Sequence, residues 1–397
     1  MELEIFGVGA AGNKAAIKAI ESGVVSNEYI KLFNTTTKDI PSEYKNSDMV
    51  VAFSSSILGG CGKEPAKGRK AIEDAMNNGN VDLVQLIHPG TKAVVICTST
   101  EGGSGSGATP YIAKRLIALN IPVHIFAFVG FQEDFRSIKN TLTFFSNMDD
   151  NVILHVIKNS EFLDYTGDYQ TAEHKANEEF VKQLSTLTTN LIPSEQNIDD
   201  KDMYKVATTS GYMDIKNISL NGVKNEDMFN KAIIEAYTNS KSFDFEPTAK
   251  RVAVIINASD KTRIAIDNTF EVLFKYTGDP KINGEFFKHI QYDASKPEYI
   301  DIIASGIKIP DKEFAKISKD FKEIKSKREN NSVSYGSVFS DLDLDLDDED
   351  DLDMDVKSMN NPDNVNGFFK EKVVDAPLSK VRVESDGIDP INDDEEY

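Results

Sequence analysis

Residues 101–110 constrain this chain more than any other stretch. They read Glu-Gly-Gly-Ser-Gly-Ser-Gly-Ala-Thr-Pro, with four glycines between positions 102 and 107. An apolar run, 93–97, precedes them and reads as a buried strand. An apolar-periodic run, 110–119, follows and reads as a helix. A glycine-rich turn between a strand and a helix lets backbone N–H groups approach phosphate oxygens, because no Cβ stands in the way. The helix N-terminus adds orphan donors and the positive end of a dipole. Ser104 and Ser106 add hydroxyls.

Two further loops repeat the pattern. Gly7-Val8-Gly9-Ala10-Ala11-Gly12 has G-x-G-x-x-G spacing between a strand over 3–8 and a helix over 13–22. This is the dinucleotide fingerprint. The second strand, 29–33, ends in Asn34, with no acid before Asp39, where an NAD site needs Asp or Glu for the ribose. A third loop, 57–65, follows a strand over 49–53 and leads into a helix over 68–77. With a strand over 123–128 and a helix over 137–146, residues 1–150 alternate strand and helix. The strands are continuously apolar, as a parallel sheet covered on both faces requires. Three glycine loops leaving such strands converge at the carboxyl edge, where α/β sheets bind ligands.

Composition narrows the classes. The formal charge is −21, but residues 331–397 hold twenty acidic and five basic residues, which leaves 1–330 at −6. No basic face serves direct nucleic-acid binding. The run 341–351 alternates Asp and Leu and then turns wholly acidic. It repels itself, so a disordered tail is expected from about residue 330. The two cysteines, Cys61 and Cys97, form no framework, which points to a reducing compartment. No leader pattern opens the chain, and no apolar run reaches a membrane span. The five histidines show no zinc spacing, so no protein metal set is expected.

Residues 152–157 read as a strand ending at Asn159. From 169 to 191, Ala172, Ala176, Phe180, Leu184, Leu187 and Leu191 recur at helical spacing, a long helix that Pro193 ends. A dense acidic turn follows at 197–202, with Asp202 read as the N-cap of a helix over 203–208. Then come helices over 227–239, 263–276 and 314–327, and strands over 251–257, 289–292 and 300–306. Their short connections imply mixed or antiparallel pairing.

Taken together, these motifs resemble the tubulin/FtsZ superfamily over about residues 1–310. Residues 101–107 match its Gly/Ser-Gly-Gly-Thr-Gly-Ser/Thr-Gly signature. Residues 7–13 resemble its first nucleotide loop, which ends in Gly-Asn, and 34–36 its Asn-Thr-Asp. Residues 58–70 resemble its third loop, and 132–136 its Glu-x-x-x-Arg. Asn159 and Asn177 match the asparagines that read guanine. Residues 197–202 match its Asn-x-Asp-x-x-Asp turn.

The resemblance implies a GTP-binding domain over 1–168, a central helix over 169–192 and an α/β C-terminal domain over 193–328, with the disordered acidic tail beyond. It implies GTP or GDP held by Gly9, Ala10, Ala11, Asn13, Asn34, Gly60, Gly62, Gly102, Gly103, Ser104, Gly105, Ser106, Gly107, Glu133, Arg136, Asn159 and Asn177, with Mg²⁺ on the phosphates. It implies a cytoplasmic, head-to-tail homopolymer, in which Asn197, Asp199 and Asp202 of one copy complete hydrolysis on the next. The acidic tail, and the absence of the FtsZ membrane-anchor peptide near the C-terminus, favour the phage and plasmid tubulins that position DNA, with a cargo adaptor as partner and the tail touching a neighbouring subunit. Four positions depart from the pattern. The glutamate of the fifth loop, 132–136, is offset by one, which leaves Gln132 or Glu133 to hold the ribose. Thr36 replaces an aspartate. Glu101 replaces a small residue and either faces away from the phosphates or helps hold Mg²⁺. Glu173 stands near the usual guanine-stacking aromatic, for which Tyr169 substitutes. The competing readings are an FtsZ-type division GTPase, a nicotinamide-dependent oxidoreductase built on Gly7–Gly12, and a nucleotide-binding filament protein without turnover.

Overall fold

The computed structural model describes residues 2–54, 60–192, 197–259 and 266–339. The chain begins β1 (Leu3–Val8), α1 (Gly9–Glu21), β2 (Ile30–Asn34), β3 (Val50–Ala52), α2 (Pro65–Asn77), β4 (Ala93–Ser99) and α3 (Ser104–Ala118). It continues β5 (Val123–Val129), α4 (Phe135–Ser146), β6 (Ile153–Lys158), α5 (Ser160–Thr166), α6 (Tyr169–Thr188) and α7 (Asp200–Ala207). The remainder is β7 (Gly211–Ser219), α8 (Glu226–Thr238), β8 (Arg251–Asn257), α9 (Ile266–Thr277), α10 (Pro280–Asn283), β9 (Glu285–Gln291), β10 (Tyr299–Ile307) and α11 (Asp311–Phe339).

Ten strands form one sheet, ordered β3-β2-β1-β4-β5-β6-β7-β10-β8-β9. From β3 to β7 every pairing is parallel, as the continuous apolar strands anticipated. β10 runs antiparallel to both β7 and β8, and β8 pairs parallel with β9, the mixed pairing expected beyond residue 210. One side of the parallel half is sealed by α1 and α6, whose Ala15, Ala19, Ala172, Ala176, Phe180 and Leu184 are fully buried. The helical stripe on α6 is therefore core, with the Phe180 ring 4.9 Å from that of Phe126.

Three features of the fold bear on the site. β6 and β7 join only at their first residues, Ile153 to Gly211 and Leu154 to Tyr212, so the two halves share a narrow seam. At the far end of α6, Thr186 Oγ1 donates to Asp301 at 3.0 Å and Asn217 Nδ2 donates to the same carboxylate at 2.8 Å. That buried carboxylate ties the helix to β7 and β10. Third, α11 runs on to Phe339, past the end near 327 read from the sequence, and stacks on α4 through Phe321 and Phe135, 4.7 Å apart. The acidic run 341–351 and the rest of the tail lie outside the described residues, as do Pro193 and Ile57, Leu58 and Gly59 of the third loop.

The histidines hold a contact that spacing could not reveal. His124 Nδ1 and His155 Nε2, on neighbouring strands, lie 3.0 Å apart in the core. Burial holds the His124 imidazole down at about 3, and His155 is likewise lowered by burial and then by His124. Among the described residues no group of three His, Cys, Asp or Glu converges as a metal site.

Candidate functional site

Because β1 to β6 are parallel, the loops that leave them gather at one edge. The turn after β1 needs a left-handed residue, and Gly9 supplies it with φ 76°. α1 begins there and α3 begins at Ser104, earlier than the 110 start read from the sequence. The second half of the 101–110 loop is thus already helix. Two helix N-termini, each opening a helix longer than eight residues, point at the same edge.

The glycines divide into two kinds. A Cβ at Gly107 would strike the Pro65 carbonyl, and one at Gly12 the Cys97 carbonyl. These positions let backbone pack on backbone, drawing α2 onto α3 and α1 onto β4. Gly102 has nothing within 4 Å of where its Cβ would stand. Of the loop's glycines, it is the one that borders open space. The Ser106 hydroxyl does not face outward as a free donor; it bonds the Gly102 carbonyl.

Buried polar atoms at this edge await partners. Asn13 Nδ2 reaches the Phe33 carbonyl at 3.4 Å, while its Oδ1 has none. Asn34 Oδ1 accepts from the Thr35 amide at 2.9 Å and its Nδ2 is unpartnered. Asn159 Oδ1, after β6, is unpartnered too. Leaving buried polar groups unsatisfied costs about 1–3 kcal/mol each. Three amides at one edge fit a polar ligand seated among them, as a nucleotide would be. Thr35 Oγ1 and Ser104 Oγ share a hydrogen bond of 2.7 Å. Asn177 stands partly buried on α6.

The loop after β5 closes the other flank. The Tyr169 ring lies 4.4 Å from that of Phe131, tilted at 44°, and Glu133 accepts its hydroxyl, which raises the phenol. The ribose and aromatic candidates thus touch each other. Arg136 Nη1 donates to the Gly62 carbonyl at 3.3 Å. Gly60, Gly62 and Lys63 all adopt positive φ, and Lys63 Nζ pairs with Asp134 at 2.8 Å. That ammonium and the Ser137 amide hold the Asp134 carboxyl down at about 2. Asp134 also caps α4.

The acidic turn sits elsewhere. α6, 20 residues long, spans about 30 Å from Tyr169. α7 leads into β7, whose first residue pairs with the first residue of β6, at the end of the parallel sheet opposite the glycine loops. The N-cap of α7 is Asp199, which accepts from the Asp202 amide at 2.7 Å. This corrects the assignment of Asp202 as the cap: the helix starts at Asp200, three residues earlier than read, because Asp199 is already extended (φ −78°, ψ 165°) while Asp202 is helical. Freed from capping, the Asp202 carboxylate pairs with Lys205 Nζ at 2.8 Å. Asp199 and Asp200 are exposed. The approach is stapled to β9, where Gln291 Oε1 accepts from the Ile192 amide at 2.8 Å and His289 Nδ1 from the Ile198 amide at 3.4 Å. His289 Nε2 lies 3.0 Å from Gln291 Oε1, which places its proton on Nε2.

Sequence reasoning missed Asn140 and His289. Asn140 Nδ2 donates to the carbonyls of both Lys63 and Glu101, each at 2.9 Å. Its available signal was a polar residue on the buried face of α4, aligned with Ser137, Thr141 and Phe144.

The family model for the Tubulin/FtsZ family, GTPase domain, matches residues 2–167. The cell division protein FtsZ of Mycoplasmopsis pulmonis is 24% identical over 315 residues, 77% of each chain. FtsZ 1 of Pyrococcus horikoshii is 23% identical over 317 residues, 77% of this chain and 81% of that one. Among solved structures, GDP-bound CetZ1 from Haloferax volcanii superposes with a TM-score of 0.66 at 18% identity, covering 81% of this chain and 100% of that one. A GTPγS-form protofilament of TubZ from Bacillus thuringiensis serovar israelensis gives 0.67 at 16% identity, with 84% and 94% covered.

Proposed function

We propose, for a chain whose residues 2–167 are a tubulin/FtsZ-family GTPase domain, that it stacks head to tail and hydrolyses GTP between copies. One observation carries this reading: the glycine loops and the acidic turn occupy opposite ends of the molecule, separated by the length of α6. Within one copy Asp199, Asp200 and Asp202 have no phosphate to serve. A translation along the strands brings the turn of one copy to the loops of the next. Solved relatives of this fold include a GTPγS-bound CetZ2 protofilament and a two-stranded TubZ filament.

In this reading the N-termini of α1 and α3 cradle the phosphates, and Asn13, Asn34, Asn159 and Asn177 satisfy their amides on the nucleotide. Mg²⁺, where bound with the nucleotide, would supply neutralisation of the phosphate charge. The chain's contribution to the chemistry is the turn. Asp202, paired with Lys205, and Asp199 orient a water toward the neighbour's γ-phosphate and accept its proton, while Asn197 positions it. A carboxylate turn is repelled by phosphate, so it assists only when a water stands between them.

For the cellular role we favour phage or plasmid DNA positioning through an adaptor, supported by the acidic tail and the likeness to TubZ, including that of Clostridium botulinum phage c-st (TM-score 0.62, 16% identity, 82% of this chain and 98% of that one). The test of assembly is right-angle light scattering with GTP, GTPγS and GDP. Scattering that appears with GTP, persists with GTPγS and is absent with GDP is the expected result. A flat trace with all three at high protein concentration overturns the reading.

A further inference from the structure

Glu101 is the acidic residue that stands where the resembled signature carries a small one. Its carboxylate does not turn toward Gly102–Gly107. Oε1 accepts from the Gln132 amide at 2.9 Å, in the loop after β5. The carboxylate lies against Gly130 so closely that any Cβ there would strike it. Gln132 itself holds φ at 53°, a left-handed conformation that a non-glycine residue keeps only when its surroundings impose it. The backbone of Glu101 is held as well: its carbonyl accepts from Asn140, which also takes the Lys63 carbonyl. Lys63 in turn bonds Asp134 and Ser137. Three loops of the site thus meet at two side chains.

We infer that Glu101 and Asn140 are positioning residues, which set the loop after β5 and the loop before α2 at a fixed distance from the phosphate loop. Asn140 ties the phosphate loop to residues 60–64. Glu101 ties it to residues 130–134, where Glu133 and Arg136 stand. The phosphate side and the sugar side of the nucleotide are then aligned by one hydrogen-bonded clasp. This assigns Glu101 a purpose other than metal binding, and it rests on the reading that these loops hold a guanine nucleotide.

The test is calorimetric titration of the full chain with GDP and with GTPγS, with and without Mg²⁺, below the assembly concentration. Glu101→Ala and Asn140→Ala are expected to weaken both nucleotides alike, by about tenfold, the value of a hydrogen bond to a charged or buried group. Glu101→Gln recovers most of the affinity, because its amide oxygen still accepts from Gln132. Hydrogen exchange across 130–134 follows the same order, rising in Glu101→Ala and staying low in Glu101→Gln, and reads the clasp even if an alanine variant melts early. Wild-type affinity in Glu101→Ala overturns the inference. So does a Glu101→Gln as weak as Glu101→Ala with the loss confined to GTPγS in Mg²⁺, since the carboxylate would then be serving the metal. A wild-type chain that binds neither nucleotide overturns the site itself, and the inference with it.

Discussion

The two ends of α6 are built by different rules. At the Tyr169 end the geometry belongs to the backbone: glycines let α1, α2, α3 and β4 touch without side chains between them. At the Asp200 end it belongs to side chains: a capping aspartate, a lysine–aspartate pair and two amide bonds to His289 and Gln291. The first end is crowded and complete within one copy. The second presents exposed carboxylates that nothing in the same chain engages as a substrate. Crowded backbone fails by clash when atoms are added; a side-chain turn fails by loss of a charge or a bond. The two ends should therefore answer mutation in opposite ways.

The sharpest break comes from Asp202→Ala. If Asp199 and Asp202 activate the water as proposed, this variant lowers turnover by at least about 100-fold, while GTP affinity measured by titration stays within about twofold. The comparison then permits a mixing experiment. Asp202→Ala supplies intact glycine loops, and Gly102→Ala supplies an intact acidic turn. Phosphate release from the mixture that exceeds the sum of the two alone is expected if the halves act between copies. Strict additivity would return both halves to one chain.

Next in size is the contrast between two glycines. Gly107→Ala drives a methyl group into the Pro65 carbonyl, and overpacking of that kind costs about 1–3 kcal/mol. The thermal midpoint should fall by several degrees. Gly102→Ala places the same methyl in open space and should leave the midpoint unchanged while weakening GTP. If both variants melt alike, the glycines are not divided between packing and ligand approach. A smaller effect is expected at the other end from His289→Leu. It strands the Ile198 amide at a cost of about 1 kcal/mol and loosens the turn. Turnover should fall severalfold with GTP affinity retained; an equal loss of affinity would mean the staple reaches the glycine loops.

The contrast also explains what was legible in the sequence. The parallel half could be read because continuously apolar strands and glycine turns are local signals. β7 was not: Asp214 and Lys216 interrupt its pattern, yet both are buried, paired at 2.8 Å with Ser240 and Ser242 around them. An ion pair hidden in a strand looks like a solvated loop until its partner is placed. The start of α3 was misjudged because glycine and serine are poor helix interior residues, though good ones for a first turn beside a ligand. The glycines pointed to a phosphate site, but spacing alone could not tell those that face a ligand from those that let helices meet. Asn140 stayed hidden because its two acceptors are backbone carbonyls 77 and 39 residues away.

The gentlest test uses pH at the boundary of the crowded end. Burial raises the Glu101 carboxyl above its ordinary value; the Gln132 amide and Lys63 oppose this, and Asp134 and Glu133 add to it. A carboxyl raised on folding contributes stability that is fully present below its unfolded pKa and is lost as pH rises through the folded one. Where it is ionised, Glu101 therefore costs the fold something, although it binds Gln132. Glu101→Gln keeps an acceptor without the charge, so it should melt slightly above wild type at pH 7 to 8, with the gap closing as pH falls toward 4.5. Asp134 has the opposite sign. Its carboxyl is lowered to about 2 by Lys63 and Ser137, so its contribution is present above the ordinary carboxylate range and fades only as pH drops toward 2. Between pH 5 and 8 the melting difference between wild type and Glu101→Gln thus reports Glu101 alone. A difference that stays flat across that range would mean the carboxylate is solvated, and the clasp would lose its charged member.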